Sequence, residues 1–331
     1  MTVLSVDRLR VELVRNRTPI TPVDDVSLSL DRGEILGIAG ESGSGKSLTL
    51  KALSGLLPVP SSVSGAFCAD LDGRGVAPYR PADVRGHGIS FVFQEPMTAL
   101  NPTMRVVDQI ALHARVVGGL GKPSARATAL DLMSDVGIPD PRRRGRMWPH
   151  ELSGGLRQRV MIGVALSSNP KILLCDEPTT ALDGSTQDQI LALLLRLRDE
   201  RQLSIIFVTH DLAVLRSLCD RVAVMYAGRL AEHGPTTPVF ETPRHPYTAA
   251  LLRSTPPMTP VNGPLPAIAG QPPDPGAMPE GCRFAPRCDW ANEPCRSTEH
   301  TLVGGVHITS CIRSDELEHE GSTTRLGVEQ T

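Results

Sequence analysis

Residues 40–47 read Gly40-Glu41-Ser42-Gly43-Ser44-Gly45-Lys46-Ser47 and fit the pattern G-x-x-x-x-G-K-S/T in full. An apolar run, Ile35-Leu36-Gly37-Ile38-Ala39, precedes them, and Leu48 to Leu57 follows in helical spacing. Strand, glycine loop, helix is the first unit of a parallel α/β sheet. Each residue type in the loop has a physical task. The glycines let successive backbone N–H groups turn towards phosphate oxygens, and the helix adds the partial positive charge of its N-terminus. Lys46 brings a point charge to the β- and γ-phosphates, and the Ser47 hydroxyl is a ligand for Mg2+. The eight residues predict a nucleoside triphosphate site without separating kinases, GTPases and motor ATPases.

Outward from the loop the chain continues in α/β style. Val26, Leu28 and Leu30 alternate with Ser27, Ser29 and Asp31, the period of a half-buried strand. Ile89–Phe93, Ile172–Cys175 and Ile205–Val208 are short apolar runs and read as buried strands. Thr186 to Arg201 reads as an amphipathic helix, and Arg221–Ala227, Gly228 and Arg229–His233 as a hairpin. From Gln94 to about Val164 the pattern is helical and more polar, so residues 95–164 are expected to form a helical subdomain inserted between sheet strands. The division expected is an ATPase domain over 1–254, a Pro-rich linker or extended strap over 255–279, and a cysteine-containing extension over 280–331. The last residues, from about Ser314, are polar without periodicity and are expected to be frayed.

Composition narrows the class. The 331 residues suffice for one large or two modest domains. With Lys+Arg 34 against Asp+Glu 36 the net charge is −2, so no bulk electrostatic case exists for nucleic acid as a partner. No apolar run approaches the ~20 residues that span a bilayer. Asp7, Arg8 and Arg10 stand where a signal peptide needs its apolar stretch, so a cytosolic chain is expected. In that compartment the seven cysteines are not expected to form a disulfide framework.

Further motifs follow in order. Leu152-Ser153-Gly154-Gly155 opens a helix-like run, and a Ser hydroxyl with two Gly N–H groups at a helix start is an anion site as well as a cap. Lys171 to Pro178 is an apolar strand ending in Asp176 and Glu177. In that Walker B arrangement Asp176 holds Mg2+ and Glu177 polarises the attacking water. Ala181-Leu182-Asp183 and, after another strand, Thr209-His210-Asp211 complete the series.

The order of these motifs resembles that of the ATP-binding subunits of ABC transporters, over about Val3 to Leu252. The resemblance implies a P-loop ATPase domain with an antiparallel β subdomain and a helical subdomain, followed by the strap and cysteine extension. It further implies a head-to-tail dimer with a second ATPase subunit, identical or paralogous. ATP and Mg2+ on the phosphate loop of one subunit are closed over by Ser153, Gly154 and Gly155 of the other. Gln94 joins Ser47 and Asp176 at the Mg2+ and senses the γ-phosphate, His210 holds Glu177 and the water in line, and Asp183 lies at the dimer seam. Two positions depart from the family: Leu156 replaces the Gln of LSGGQ, and Leu13 stands where an aromatic ring commonly stacks on adenine. An aliphatic wall at Leu13 puts base affinity and ATP/GTP selectivity in question.

A narrower resemblance follows. Glu95 to Pro102 looks like the QDPMTSLNP stretch of oligopeptide and dipeptide importer ATPases, and His245-Pro246-Tyr247-Thr248 like the HPYT start of that branch's extension. The branch implies two transmembrane permease subunits, an extracytoplasmic solute-binding protein, and a place on the cytoplasmic face of the membrane. The competing classes are a soluble ABC-type ATPase acting on DNA or ribosomes, a weakly hydrolysing regulatory partner, and an exporter ATPase. Cys282, Cys288, Cys295 and Cys311 are spaced C-x5-C-x6-C-x15-C, which is neither the paired C-x2-C pattern of zinc sites nor a ferredoxin run. A 4Fe–4S cluster, a structural zinc, and free or oxidised thiols all remain open on the residues. Resemblance to the branch, whose members with an intact set are associated with a 4Fe–4S cluster, favours the first. Cys68, Cys175 and Cys219 are expected to be inert.

Overall fold

The computed structural model describes residues 1–71, 73–84, 86, 88–254, 267–298 and 301–319. Strands β1 (Thr2–Arg15) and β2 (Thr18–Asp31) lead into β3 (Ile35–Ala39), the phosphate loop and helix α1 (Lys46–Leu53). After β4 (Ser61–Ala69), β5 (Ala77–Pro78) and β6 (Ile89–Val92) comes the helical insertion. It comprises α2 (Pro96–Ala99), α3 (Val106–Val116), α4 (Lys122–Asp135), α5 (Pro141–Arg144) and α6 (Gly154–Leu166). The chain returns through β7 (Ile172–Asp176), α7 (Gly184–Arg201), β8 (Ser204–Val208), α8 (Leu212–Leu218) and the hairpin β9 (Arg221–Tyr226) and β10 (Arg229–Pro235). It ends with α9 (Thr236–Glu241), α10 (Pro246–Arg253), α11 (Glu293–Ser297), β11 (Val303–Gly304), β12 (Ile308–Thr309) and α12 (Ser314–His319). No described helix is long and apolar enough to cross a membrane.

The strands form an antiparallel sheet, order β2-β1-β4-β5, and an eight-stranded sheet, order β11-β12-β10-β9-β3-β8-β7-β6. Strands β6, β7, β8, β3 and β9 run parallel, so the loops after β3, β6, β7 and β8 leave the same end of the large sheet. Ligands bind at that end in open α/β sheets. The continuous apolar runs are explained by burial on both faces. Leu173, Cys175, Ile205 and Phe207 face a core shared with the helical insertion. Ile172, Leu174, Ile206 and Val208 face a second core shared with β1, β2 and α1. Along β2 the expected alternation holds, with Val26 and Leu30 fully buried and Leu28 nearly so.

The extension departs from expectation. Its strand β12 pairs antiparallel with β10 through Glu232↔Thr309 and His233↔Ile308 and so extends the large sheet. Of the residues from about Ser314 that are expected to fray, Ser314–His319 is helical with Ser314 buried, and 320–331 lie outside the described residues. Ion pairs Arg244–Asp315 and Arg313–Glu316 hold that turn down. Of the expected strap, residues 255–266 lie outside the described residues, and 267–279 run without regular helix or strand. Asp24 of β2 fastens the sheets and the extension together by accepting from Arg10, Arg229 and Arg283. Burial acts to raise its pKa, but Arg229, Arg283 and Arg10 outweigh it and hold the carboxyl below the usual carboxylate range.

His233 of β10 gives the fold a pH dependence. Arg221 Nη2 donates to its Nε2 at 2.8 Å, and since arginine can only donate, that nitrogen carries no proton. Burial first, then Arg221 and His307, push the imidazole pKa from 6.5 down to about 4. The unfolded chain therefore binds the proton before the folded one, and stability falls as pH drops from about 6.5 to about 4. The loss is on the order of 3 kcal/mol at most, at ~1.36 kcal/mol per unit. Urea unfolding across that pH window should show a steeper acid loss in the wild type than in His233→Gln. Equal slopes would refute the assignment.

Candidate nucleotide site

The phosphate loop bends where its glycines allow. Gly40 has φ +146°, and a Cβ there would lie 2.2 Å from the Met225 carbonyl oxygen. Gly45 has φ +101°, and its Cβ would come within 2.9 Å of the Pro22 carbonyl. Both positions thus need glycine for conformation and for close approach of β2 and β9. Lys46 Nζ lies within the loop and donates to the carbonyls of Gly40 at 2.7 Å and Glu41 at 2.9 Å. Burial lowers its pKa below the usual lysine range, opposed by Glu177, Asp176 and Glu41. Ser44 is buried, and among the described residues its Oγ has no hydrogen-bond partner. An orphaned hydroxyl inside a curl of glycines and a lysine fits a phosphate group.

The acidic residues converge on this loop. Ser47 Oγ donates to Asp176 Oδ1 at 2.6 Å, joining the start of α1 to the end of β7. Burial raises the Asp176 pKa, opposed by the Ser47 hydrogen bond, Lys51 and Lys46. This hydroxyl–carboxylate pair is an oxygen donor set suited to Mg2+. Glu177 follows with φ +46°, a left-handed conformation costly for a non-glycine residue and found where the surroundings over-determine it. Its N–H donates to the Val208 carbonyl at 3.0 Å, fixing the end of β7 to the end of β8. Its Oε2 accepts from Gln94 Nε2 at 3.3 Å and Thr180 Oγ1 at 2.9 Å, and lies 3.1 Å from His210 Nδ1. The loops after β6, β7 and β8 therefore meet at one carboxylate oxygen. Gln94 reaches Glu177, not Asp176, in this arrangement. The group can polarise a water beside a phosphate held in the loop.

The remaining expected residues lie elsewhere. Ser153 caps α6 from an exposed position, with no side-chain cap bond. Gly154 shares a small cleft with Gln94, Pro178 and Leu182. Gly155 has a packing reason besides anion binding, since a Cβ there would lie 2.4 Å from Thr186 Cγ2. Leu156 is half-buried against the core under the helical insertion, which gives an apolar residue a use there. Asp183 caps α7, accepting from Ser185 Oγ, Thr186 N–H and Thr186 Oγ1. Those bonds lower its pKa to about 2. Leu13 pairs with Ile20 and is half-buried against the second core.

Two loop partners escape sequence reasoning. Glu41 N–H donates to the hydroxyl of Tyr247 at 2.8 Å, and the Glu41 carboxylate accepts a forked pair from Arg287 at 2.7 and 3.0 Å. Tyr247 is fully buried one residue into α10. It is placed by His245 and by Glu232, a buried carboxylate that accepts the N–H groups of Arg244 and His245. The HPYT motif was the only signal for Tyr247. No signal pointed to Arg287.

The four extension cysteines line a common cavity of about 20 Å³ with Phe284 and Trp290. Cys282 N–H donates to the Cys295 carbonyl at 2.8 Å, bringing two of them together. Burial raises the thiol pKa of Cys288 to about 11 and of Cys311 to about 12. Among the described residues no three Cys, His, Asp or Glu side chains are grouped to hold one metal ion. The thiols thus surround a shared space without meeting at one point. Cys175 and Cys219 are buried in the core, as expected of inert thiols.

Known proteins resemble the chain over most of its length. A family described as ABC transporter matches residues 23–180, and one described as oligopeptide/dipeptide transporter, C-terminal region, matches 231–295. The dipeptide transport ATP-binding protein DppD of Escherichia coli is 41% identical over 305 residues, covering 91% of this chain and 93% of its own. The oligopeptide transport ATP-binding protein OppD of Salmonella typhimurium is 44% identical over 297 residues, covering 89% and 88%. Among solved structures, a dimer of the ATP-binding cassette MJ0796 bound to ADP and Pi superposes with a TM-score of 0.60 at 28% identity, over 70% of this chain and 98% of that one.

Proposed function

Since the chain belongs to the ABC transporter family, among the oligopeptide/dipeptide transport ATP-binding subunits, we propose that it energises import of di- or oligopeptides by hydrolysing ATP. The observation that carries this reading is the meeting of Gln94, His210 and Glu177 beside the Ser47–Asp176 pair. Bound between Lys46 and the loop amides, ATP presents its γ-phosphate towards Glu177. Glu177 takes the proton of the attacking water while the bond from the γ-phosphorus to the bridging oxygen breaks and ADP leaves; His210 and Gln94 orient the carboxylate, and Ser47 and Asp176 would hold Mg2+, whose charge would offset that on the phosphate oxygens. Exposed Ser153 and half-buried Gly154 and Gly155 sit at the start of α6, from which they close over the nucleotide of a second ATPase subunit. Asp183 joins the same seam, and Leu13 gives the adenine an aliphatic wall in place of a ring.

The solute itself is handled by two permeases and an extracytoplasmic binding protein, and this subunit docks on their cytoplasmic side. Exposed Phe93 and Met97 beside Gln94 support a docking face that reports the state of the nucleotide. Cys282, Cys288, Cys295 and Cys311 are the residues that would hold a 4Fe–4S cluster. The support for this reading is that all four thiols line one space, and four thiolates are the ligand set of such a cluster. A cluster there cross-links four stretches of the extension.

Reconstitution tests the transport reading. Proteoliposomes carrying the permeases and this subunit, supplied with binding protein, should accumulate labelled dipeptide only with ATP and Mg2+. ATP-driven uptake of nickel without peptide uptake, or hydrolysis indifferent to the permeases, would refute it.

A further inference from the structure

The hydrolytic arrangement makes no use of the ion pair between the phosphate loop and the cysteine-bearing extension. Arg287, one residue before Cys288, engages all five of its N–H donors. Nη1 donates to Glu41 Oε2 at 2.7 Å and to the Tyr226 hydroxyl at 3.2 Å. Nη2 donates to Glu41 Oε1 at 3.0 Å and to the Ile268 carbonyl at 3.3 Å, and Nε to the Ala269 carbonyl at 2.7 Å. A planar fork with every donor engaged has one orientation. Its side chain is only 5% exposed, so solvent ions screen the pair weakly. Glu41 is gripped at its other end too, where its N–H donates to Tyr247, and its carbonyl accepts from Lys46. Moving Glu41 therefore moves the oxygen against which the phosphate-binding ammonium rests.

We propose that Arg287 is a positioning residue for the phosphate loop, so that ATP affinity depends on the extension being folded against Glu41. The proposal rests on the ATP-site reading given above. The physical ground is the loop's own freedom: its glycines admit many backbone conformations, of which one receives phosphate. Apparent affinity scales with the fraction of molecules in the competent conformation. An ion pair that raises that fraction tightens binding without touching ATP. Glu41 and Arg287 are 246 residues apart in sequence, so the pair exists only when the extension is in place.

Equilibrium binding of a fluorescent ATP analogue and steady-state hydrolysis, on the full chain, test this with Arg287→Ala, Glu41→Gln and the double variant. Arg287→Ala should raise Kd and KM for ATP about tenfold, with kcat within about twofold of wild type, because the loop's competent population changes and the chemistry does not. Glu41→Gln should weaken binding similarly. That sign is diagnostic, since removing a negative charge beside the phosphates would by itself tighten binding. The double variant should be no worse than either single one, because both remove the same pair. Unchanged Kd in Glu41→Gln, losses that add in the double variant, or a fall in kcat at constant KM would each overturn the proposal. Should Arg287→Ala not fold, Glu41→Gln decides alone. A wild-type chain that does not bind ATP overturns the ATP-site reading itself, whereas wild-type binding with unaltered variants overturns only the role of Arg287.

Discussion

Glu177→Gln is expected to lower ATP hydrolysis at least about 100-fold while leaving ATP binding intact, the range that loss of a general base commonly costs. The substitution keeps the length and shape of the side chain and removes its charge and basicity. Gln94, Thr180 and His210 all address one oxygen of Glu177, which an amide carbonyl can replace as an acceptor. The backbone at φ +46° and the N–H bond to Val208 do not involve the side chain, so the end of β7 should keep its place. What is lost is the group that takes a proton from water. ATP then stays bound, and the nucleotide-closed dimer should accumulate as a doubled mass in light scattering with ATP and Mg2+. Hydrolysis near the wild-type rate would remove Glu177 from the catalytic role and leave Asp176 or His210 to be tested in its stead.

Cys288→Ser is expected to abolish metal loading. Protein purified without oxygen should contain about four irons and matching acid-labile sulfide per chain, the stoichiometry of a 4Fe–4S cluster on four thiolates. The serine variant should contain almost none, because hydroxyl oxygen is a far poorer ligand for iron in such clusters. Cys288 follows the short turn Ala285–Arg287, Cys295 lies in α11, and Cys311 follows β12. A cluster there would tie segments that share little regular structure, and its loss should then lower the thermal stability of the extension first. Zinc in place of iron and sulfide would establish the structural-metal alternative, and metal-free wild-type protein would establish free thiols.

The two experiments act on opposite kinds of information. The proposed catalytic group was legible because each member sits at the end of a strand whose apolar run announces it. Once β6, β7, β8 and β3 lie parallel, Gln94, Glu177, His210 and the phosphate loop must emerge at one end. The contact of Gln94 with Glu177 was not legible, because the resemblance assigned that side chain to the metal. Leu156 is likewise half-buried in the core, a matter of helix packing that a motif does not encode. The strands of the extension were not legible because they are two residues each, too short for any periodicity to show. Pairing with β10 makes them strands.

By itself the sequence determined the local chemistry: a loop whose glycines at 40 and 45 take positive φ, a lysine and serine at the head of a helix, and two acids at the end of a buried strand. Those features follow from residue type at close spacing, where steric limits on the backbone and short-range charge leave few alternatives. Only the tertiary structure decided what holds the loop in shape. Tyr247 and Arg287 reach Glu41 from 206 and 246 residues away. Such contacts depend on the whole sheet being assembled and on burial strengthening a charged hydrogen bond, and no local pattern of residues carries that information.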